Sequence, residues 1–518
     1  MAFLGIELGS TRIKAQVISE RGEILASGSY RWESKRINGY WAYEPAEIFF
    51  GLRATLASLR QALTAKSPFC LPKIECIGIS GMMHGCIALD QDDQWLAEFR
   101  TWRNTYTHEA SERLSEVLNC NFPIRWSVSH LYQALLNGET YVRQIYRLMT
   151  LSCYVHYCLT GEFVLGIGDA AGMFPIGART ISYDKGRLET LDRVLAPYNL
   201  PYQVESILPR ILLAGEPAGQ LSSKGSELLG QCDWLSPGIL FCPPEGDAGT
   251  GMVATNCVRP KTGNISAGTS IFAMFVLEHG LSRPYFEIDM VATPDGLPVA
   301  MVHCNNGCNE IDAFAALFQD LIRRLGLNVS DNQLYETLYR AAAETVPYDG
   351  LLLYNYVAAE PITGIEQGCP LLMRKAQSRF DLAALMQSQL YSALASLRIG
   401  MEILDREGVE IEELRAHGGF FKSSDAGQKA LSAATSKPVV LLEHAGEGGA
   451  YGIALLALYR VRYARTCSLA DFLDTEIFSD TECDRYLAGE EACKNFEDFL
   501  VDYRRGLALE AKVSELLS

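Results

Sequence analysis

The chain has 518 residues, with 62 acidic against 45 basic side chains and a formal net charge of −17 at pH 7. That length exceeds what one hydrophobic core serves and predicts two or three domains, while 48% hydrophobic and 21% charged residues are the proportions of an ordinary globular protein. The acidity excludes a nucleic-acid or anionic-membrane surface and suits small-molecule ligands.

No stretch is apolar for long enough to span a bilayer, and the opening Met1-Ala2-Phe3-Leu4-Gly5-Ile6-Glu7 reads as no signal peptide, having no basic segment and an early carboxylate. The 15 cysteines are scattered, with Cys304/Cys308 and Cys153/Cys158 the closest pairs and no zinc-like spacing. Reduced thiols and a cytoplasmic location are expected.

The first thirty residues read as a β-meander. Phe3 to Leu8 is an apolar strand, Gly9-Ser10-Thr11 a tight turn, Ile13, Ala15 and Val17 one face of a second strand, and Ile24-Leu25-Ala26 the start of a third. Ile74 to Ile79 has the pattern of a buried strand and runs into Ser80-Gly81-Met82-Met83-His84-Gly85. His84 there suits contact with a sugar hydroxyl or a satisfied place in the core, and the residues leave both open. The apolar run Gly238 to Phe241 precedes Gly246-Asp247-Ala248-Gly249, where Asp247 is either a chemical group at the end of a strand or the N-cap of a helix.

The opening unit recurs half a chain later. Asn264 to Ala267 leads into Gly268-Thr269-Ser270, followed by a returning strand Ile271 to Leu277. A turn of this kind alone is commonly a plain hairpin. Two at equivalent places suggest related domains, each offering amides and hydroxyls to a phosphate. The domain boundary is placed near residues 250–262.

Further on, Asp381 is expected to cap a long amphipathic helix through Leu404, stopped by Gly408. Leu414 to His417 is a short strand before the glycine-rich loop Gly418-Gly419-Phe420-Phe421-Lys422-Ser423, against which a flat base could lie. Glu447 to Gly452 opens an apolar helix whose small residues allow close packing beside that loop. The acidic tail from about residue 465 reads as terminal helices on the second domain. No Walker A or Gly-x-Gly-x-x-Gly segment occurs.

Together these motifs resemble the FGGY carbohydrate kinases, most closely the xylulokinase-like ketose kinases, from about residue 3 to 460. Glu7-Leu8-Gly9-Ser10-Thr11, with Lys14 following, is similar to the family's Asp-x-Gly-Thr-Ser. Ser80 to Gly85 is similar to Ser-Gly-Gln-Met-His-Gly, and Thr160-Gly161-Glu162 and Asp169-Ala170-Ala171-Gly172 match further segments. Asp247 falls on the catalytic aspartate and Ala267 to Ser270 on the second phosphate loop. Gly418 to Ser423 falls on the adenosine loop, and Glu447 to Gly452 on Glu-x-x-Ala-x-Gly.

The resemblance implies an α/β fold of two actin-like, ribonuclease-H-type domains, residues 1–254 and 255–518, each a mixed sheet flanked by helices, with a cleft between them. It implies Asp247 as general base and Met83, His84, Asn104 and Asp247 as sugar contacts. Gly9, Ser10, Thr11, Lys14, Gly268, Thr269, Ser270, Gly418, Gly419, Lys422 and Glu447 would bind ATP, and Glu7 would serve Mg²⁺. A pentulose such as xylulose is the expected acceptor, and a homodimer is one assembly open to the chain. Three positions depart from the family: Glu7 for aspartate, Asn104 in Trp102-Arg103-Asn104 for the aspartate of Trp-x-Asp, and Ala248 for asparagine. They motivate a rival expectation, a sugar-binding pseudokinase of the same fold.

Overall fold

The computed structural model describes residues 1–66, 71–177, 180–230, 234–344, 346–442, 448–479, 481 and 483–517. The chain forms two compact units. The first comprises Met1–Arg259, Glu278–Val299 and Glu447–Asp480; the second comprises Pro260–Leu277, Ala300–Gly446 and Thr481–Ser518.

In the first unit β1 (Ala2–Leu8), β2 (Arg12–Ile18) and β3 (Ile24–Arg31) form the meander expected from the alternating pattern. β1 pairs antiparallel with β2, and β2 antiparallel with β3. On its other side β1 runs parallel to β4 (Ile74–Gly81), which runs parallel to the short β5 (Leu240–Phe241) and β6 (Glu245–Gly246). β1 and β4 are almost wholly buried, as parallel strands covered on both faces must be.

Helix Pro45–Lys66 lies on β3, presenting Leu52, Leu56, Leu59 and Leu63. Helix Gly449–Arg462 packs on β1, β4 and helix Asp247–Ala254. Its approach is so close that a Cβ on Gly5 would stand 2.0 Å from the Ala450 carbonyl, and one on Gly452 would stand 1.9 Å from that of Thr250.

The second unit repeats this plan. β7 (Thr262–Ala267) is antiparallel to β8 (Ile271–Val276) and parallel to β10 (Glu413–His417), and β10 is parallel to β11 (Val439–Leu442). β9 (Pro298–Cys304) lies beyond β8, and β12 (Cys483–Tyr486) pairs antiparallel with β11 at the far edge. The long helix is Leu382–Arg406; the Asp381 carboxylate accepts the Ala384 amide, and the chain leaves at Gly408 with φ +70°.

The chain first passes from one unit to the other at Arg259, and each unit is assembled from three separate segments of the sequence. Helix Gly449–Arg462 covers the first unit's sheet, where Ala450 and Ala454 meet Gly5 of β1 and Ile453 meets Gly78 of β4. The tail likewise divides: residues to Asp480 stay with the first unit, while β12 and helix Glu490–Leu517 join the second. Every cysteine among the described residues is a free thiol, and no helix among them is long and apolar enough to cross a membrane.

Candidate active site

Three parallel strands of the first unit end in register, Leu8 beside Gly81 and Gly81 beside Gly246. The segments that follow them, Gly9-Ser10-Thr11, Met82-Met83-His84 and Asp247, therefore emerge together at the carboxyl edge of the sheet, where open α/β sheets place their ligands.

Asp247 is the first residue of helix Asp247–Ala254 and is exposed to solvent. Its Oδ1 accepts the Met83 amide at 3.1 Å and the Ala248 amide at 3.1 Å. The surrounding protein pushes its pKa up to about 6; the Met83 and Ala248 amides oppose that push and the Glu7 charge reinforces it. Because water reaches the carboxylate, screening softens the effect without changing its direction. A carboxylate with that pKa, held by one oxygen and open on its other side, can take a proton near neutral pH.

Glu7 pairs across the hairpin with Lys14, Oε2 standing 3.7 Å from Nζ. The carboxylate is packed under the start of helix Gly449–Arg462, where a Cβ on Gly449 would meet it at 3.1 Å. Oε2 is buried and accepts no hydrogen bond among the described residues.

In the turn after Leu8 the carbonyls are tied down: Trp32 Nε1 donates to Gly9, Tyr43 Oη to Ser10 and the Trp32 amide to Thr11. Among the described contacts the Ser10 and Thr11 amides donate to nothing, and both residues are exposed. Fixed carbonyls and open amides are what an anion cradle requires.

His84 occupies the left-handed region at φ +68°, a strained position for a residue with a side chain. Its Nδ1 lies 3.2 Å from the Gly172 carbonyl, which can only accept, so Nδ1 carries the proton. Met83 packs against Gly246, where a Cβ would meet its Cγ at 2.3 Å. Asn104 is used otherwise. Its Oδ1 accepts the Trp41 amide, and its Nδ2 donates to the carbonyls of Trp41 and Thr101, so the side chain fastens the strand Tyr40–Ala42.

Residues that the sequence did not single out as functional brace this edge. Ser80 Oγ and Thr250 Oγ1 meet at 2.9 Å, tying β4 to the helix of Asp247. Glu245, fully buried, accepts the amides of Gly168, Asp169 and Gly246, and Asp169 takes the hydroxyls of Thr150 and Ser152. Burial pushes Asp169 up to about 7 and Glu245, with the Asp169 charge nearby, up to about 8. Asp169 lay within a matched motif; Glu245 carried only the signal of a carboxylate two residues before Asp247.

In the second unit Ser266 is paired with His417, so the turn Gly268-Thr269-Ser270 and the loop from Gly418 also leave adjacent parallel strands side by side. This turn mirrors the first: the Cys308 and Gly307 amides tie down the carbonyls of Gly268 and Thr269. Gly307 is held in turn by Asn355, which donates to its carbonyl, and by Asn306, whose Nδ2 donates to buried Glu360. Gly418 has φ +112°, and a Cβ there would stand 2.2 Å from the Ala267 carbonyl, so only glycine fits. Gly419 faces open space, and Lys422 is exposed. Glu447 lies outside the described residues.

Two family models match in order: the N-terminal domain of the FGGY family of carbohydrate kinases over residues 2–234 and its C-terminal domain over 263–461. A xylulose kinase of Haemophilus influenzae is 24% identical over 475 residues, covering 88% of this chain and 90% of that protein. A gluconokinase of Bacillus licheniformis is 21% identical over 493 residues, covering 88% and 87%. The crystal structure of a ligand-bound xylulose kinase from Lactobacillus acidophilus shares the fold, with a TM-score of 0.80 at 16% identity and 100% of both chains covered. Together the two models span most of the chain, which therefore belongs to the FGGY family, whose members use ATP, and is a carbohydrate kinase.

Proposed function

We propose that the chain phosphorylates a small ketose, a pentulose such as xylulose, at a hydroxyl, with Asp247 as general base. The observation that carries this reading is Asp247 itself, a solvent-open carboxylate at a strand end, oriented by the Met83 amide and raised toward neutrality. A sugar hydroxyl is a weak nucleophile, and Asp247 accepts its proton as it attacks the γ-phosphorus. His84, its ring fixed by Gly172, orients the sugar, and Asn104 supports that side through Trp41.

Ser10 and Thr11 from the first unit and Thr269 and Ser270 from the second present amides to the phosphates, with Lys14 adding charge. Gly418, Gly419 and Lys422 lie along the adenosine, with Glu447 following. Magnesium fits Glu7, whose buried Oε2 lacks a hydrogen bond; one carboxylate with water and phosphate oxygens is a common way of holding this ion. When bound, the metal neutralises charge on the phosphate oxygens. The cytoplasm, where ATP and reduced thiols occur, is the proposed location.

A coupled ADP-release assay over D-xylulose, other ketoses, gluconate, glycerol and aldoses tests the assignment. A pentulose should lead in kcat/KM. Gluconate, glycerol or an aldose ahead by about tenfold, or 1.4 kcal/mol, removes the ketose assignment, and sugar binding without turnover with any acceptor makes the chain a pseudokinase.

A further inference from the structure

The turn that carries His84 is clamped by the segment leading into helix Ser127–Leu136. Gly85 follows His84 in the left-handed region at φ +77°; its amide donates to the Arg125 carbonyl at 3.1 Å, and its carbonyl accepts the Ser127 hydroxyl at 2.6 Å. The Val128 amide reaches the Met173 carbonyl, next to the Gly172 carbonyl that fixes the His84 ring. Arg125 therefore stands against the turn of His84, within the first unit.

Its guanidinium is pinned at one end only. Nη2 forms an ion pair with Asp289 Oδ2, the two side chains being 15% and 8% exposed, and Asp289 Oδ1 accepts the Asn121 side-chain amide at 2.6 Å. Burial pushes the Asp289 carboxyl up, and the Arg125 guanidinium and the Asn121 amide oppose that push. Asp289 lies on strand Ile288–Ala292, also of the first unit, which packs on the helix Ile167–Ala170 that leads to Gly172. Among the described residues Arg125 Nε and Nη1 donate to nothing. N–H donors left without partners in a half-buried place are costly, and a ligand oxygen removes that cost.

Charge decides which ligand the open end takes. Arg125 and Asp289 together are neutral, so an incoming carboxylate gains little from the guanidinium and meets the charge of Asp289 as well. Hydroxyl and carbonyl oxygens of an uncharged sugar accept from the same nitrogens without that repulsion.

We propose that Arg125 donates to oxygens of the sugar that His84 orients, and that Asp289, by cancelling the guanidinium charge, sets a preference for uncharged sugars over sugar acids. This deepens the ketose-kinase reading and rests on it.

Steady-state kinetics of the full-length protein with D-xylulose and with gluconate at saturating ATP test it; where gluconate is not turned over, its inhibition constant against xylulose gives the same comparison. Arg125→Ala should lower kcat/KM for xylulose about 10- to 100-fold, mostly through KM, with KM for ATP unchanged. Asp289→Asn keeps the shape and frees the guanidinium charge, so preference for gluconate relative to xylulose should rise about tenfold. Combining it with Arg125→Ala should abolish that rise, which a merely loosened site would keep. Thermal unfolding checks folding; should Asp289→Asn not fold, Arg125→Gln, which keeps donors without charge, should retain more xylulose activity than Arg125→Ala and shift preference away from gluconate. An unchanged KM for xylulose in Arg125→Ala overturns the proposal, as does a preference indifferent to Asp289→Asn. A wild type that prefers glycerol or an aldose removes the ketose reading alone, and the comparison is then made against that acceptor; one that prefers gluconate removes both.

Discussion

Asp247, the proposed base, and Glu7, the proposed metal ligand, have different surroundings. Asp247 must be ionised to accept a proton. With its pKa raised to about 6, kcat/KM should be level above about pH 7 and fall about tenfold per unit below pH 6. Asp247→Asn keeps the shape and the Met83 contact but cannot take a proton. It should lose about two to four orders of magnitude in turnover with ATP affinity nearly unchanged, and its residual activity should lose the acid limb. A variant retaining most of its turnover removes Asp247 from the mechanism.

Glu7 has a rival explanation in the structure, because its Oε2 stands 3.7 Å from Lys14 Nζ. If that pair were its whole purpose, Glu7→Gln would leave the magnesium requirement alone. Should the buried oxygen serve the metal, the variant needs more Mg²⁺ for half-maximal rate and turns over more slowly, with sugar binding measured without nucleotide unchanged. Superimposable Mg²⁺ titrations of the two proteins decide for the ion pair.

At the scale of elements, Asp247 owes its position to the helix it opens, and that helix is held by Gly449–Arg462 across a contact with no room for a side chain. Gly452→Ala would bring a methyl within 1.9 Å of the Thr250 carbonyl, so the helices must part. The expected cost is about 1–3 kcal/mol in urea unfolding, as for overpacking elsewhere, with turnover lowered because Asp247 moves with its helix. Unchanged stability and rate would mean the contact yields freely.

Elements with strong local patterns were legible: the two meanders from their alternation and small-residue turns, and the long helix from Asp381, its leucines and Gly408. The edge strand Cys483–Tyr486 was not, because Cys-Asp-Arg-Tyr has no apolar face and its strand character comes from pairing with β11. Nor was the partner of helix Gly449–Arg462, since complementary glycines on distant strands leave no local sign. The strand-end positions of Asp247, His84 and the two small-residue turns could be read because each follows an apolar run. Asn104 could be read as present but not as turned toward Trp41, and the bracing by Glu245, Asp169 and Asn306 depends on contacts across dozens of residues.

For the molecule as a whole, the net charge of −17 and the nature of the proposed phosphate cradle act against each other. Mg·ATP is itself an anion, so at a distance the protein repels it. Close in, the proposed cradle attracts it mostly through backbone amides, whose dipoles salt screens little, and through Lys14, a side chain 40% exposed. Raising ionic strength from 0.01 to 0.15 M shortens the screening length from about 30 to about 8 Å, which removes the long-range repulsion and spares short contacts. KM for ATP should therefore fall as KCl is added at fixed Mg²⁺, by about two- to fivefold, while KM for an uncharged sugar stays level. The reverse trend for ATP would show a cluster of basic side chains in control of phosphate binding, and the reading of Ser10, Thr11, Thr269 and Ser270 as an amide cradle would then fail.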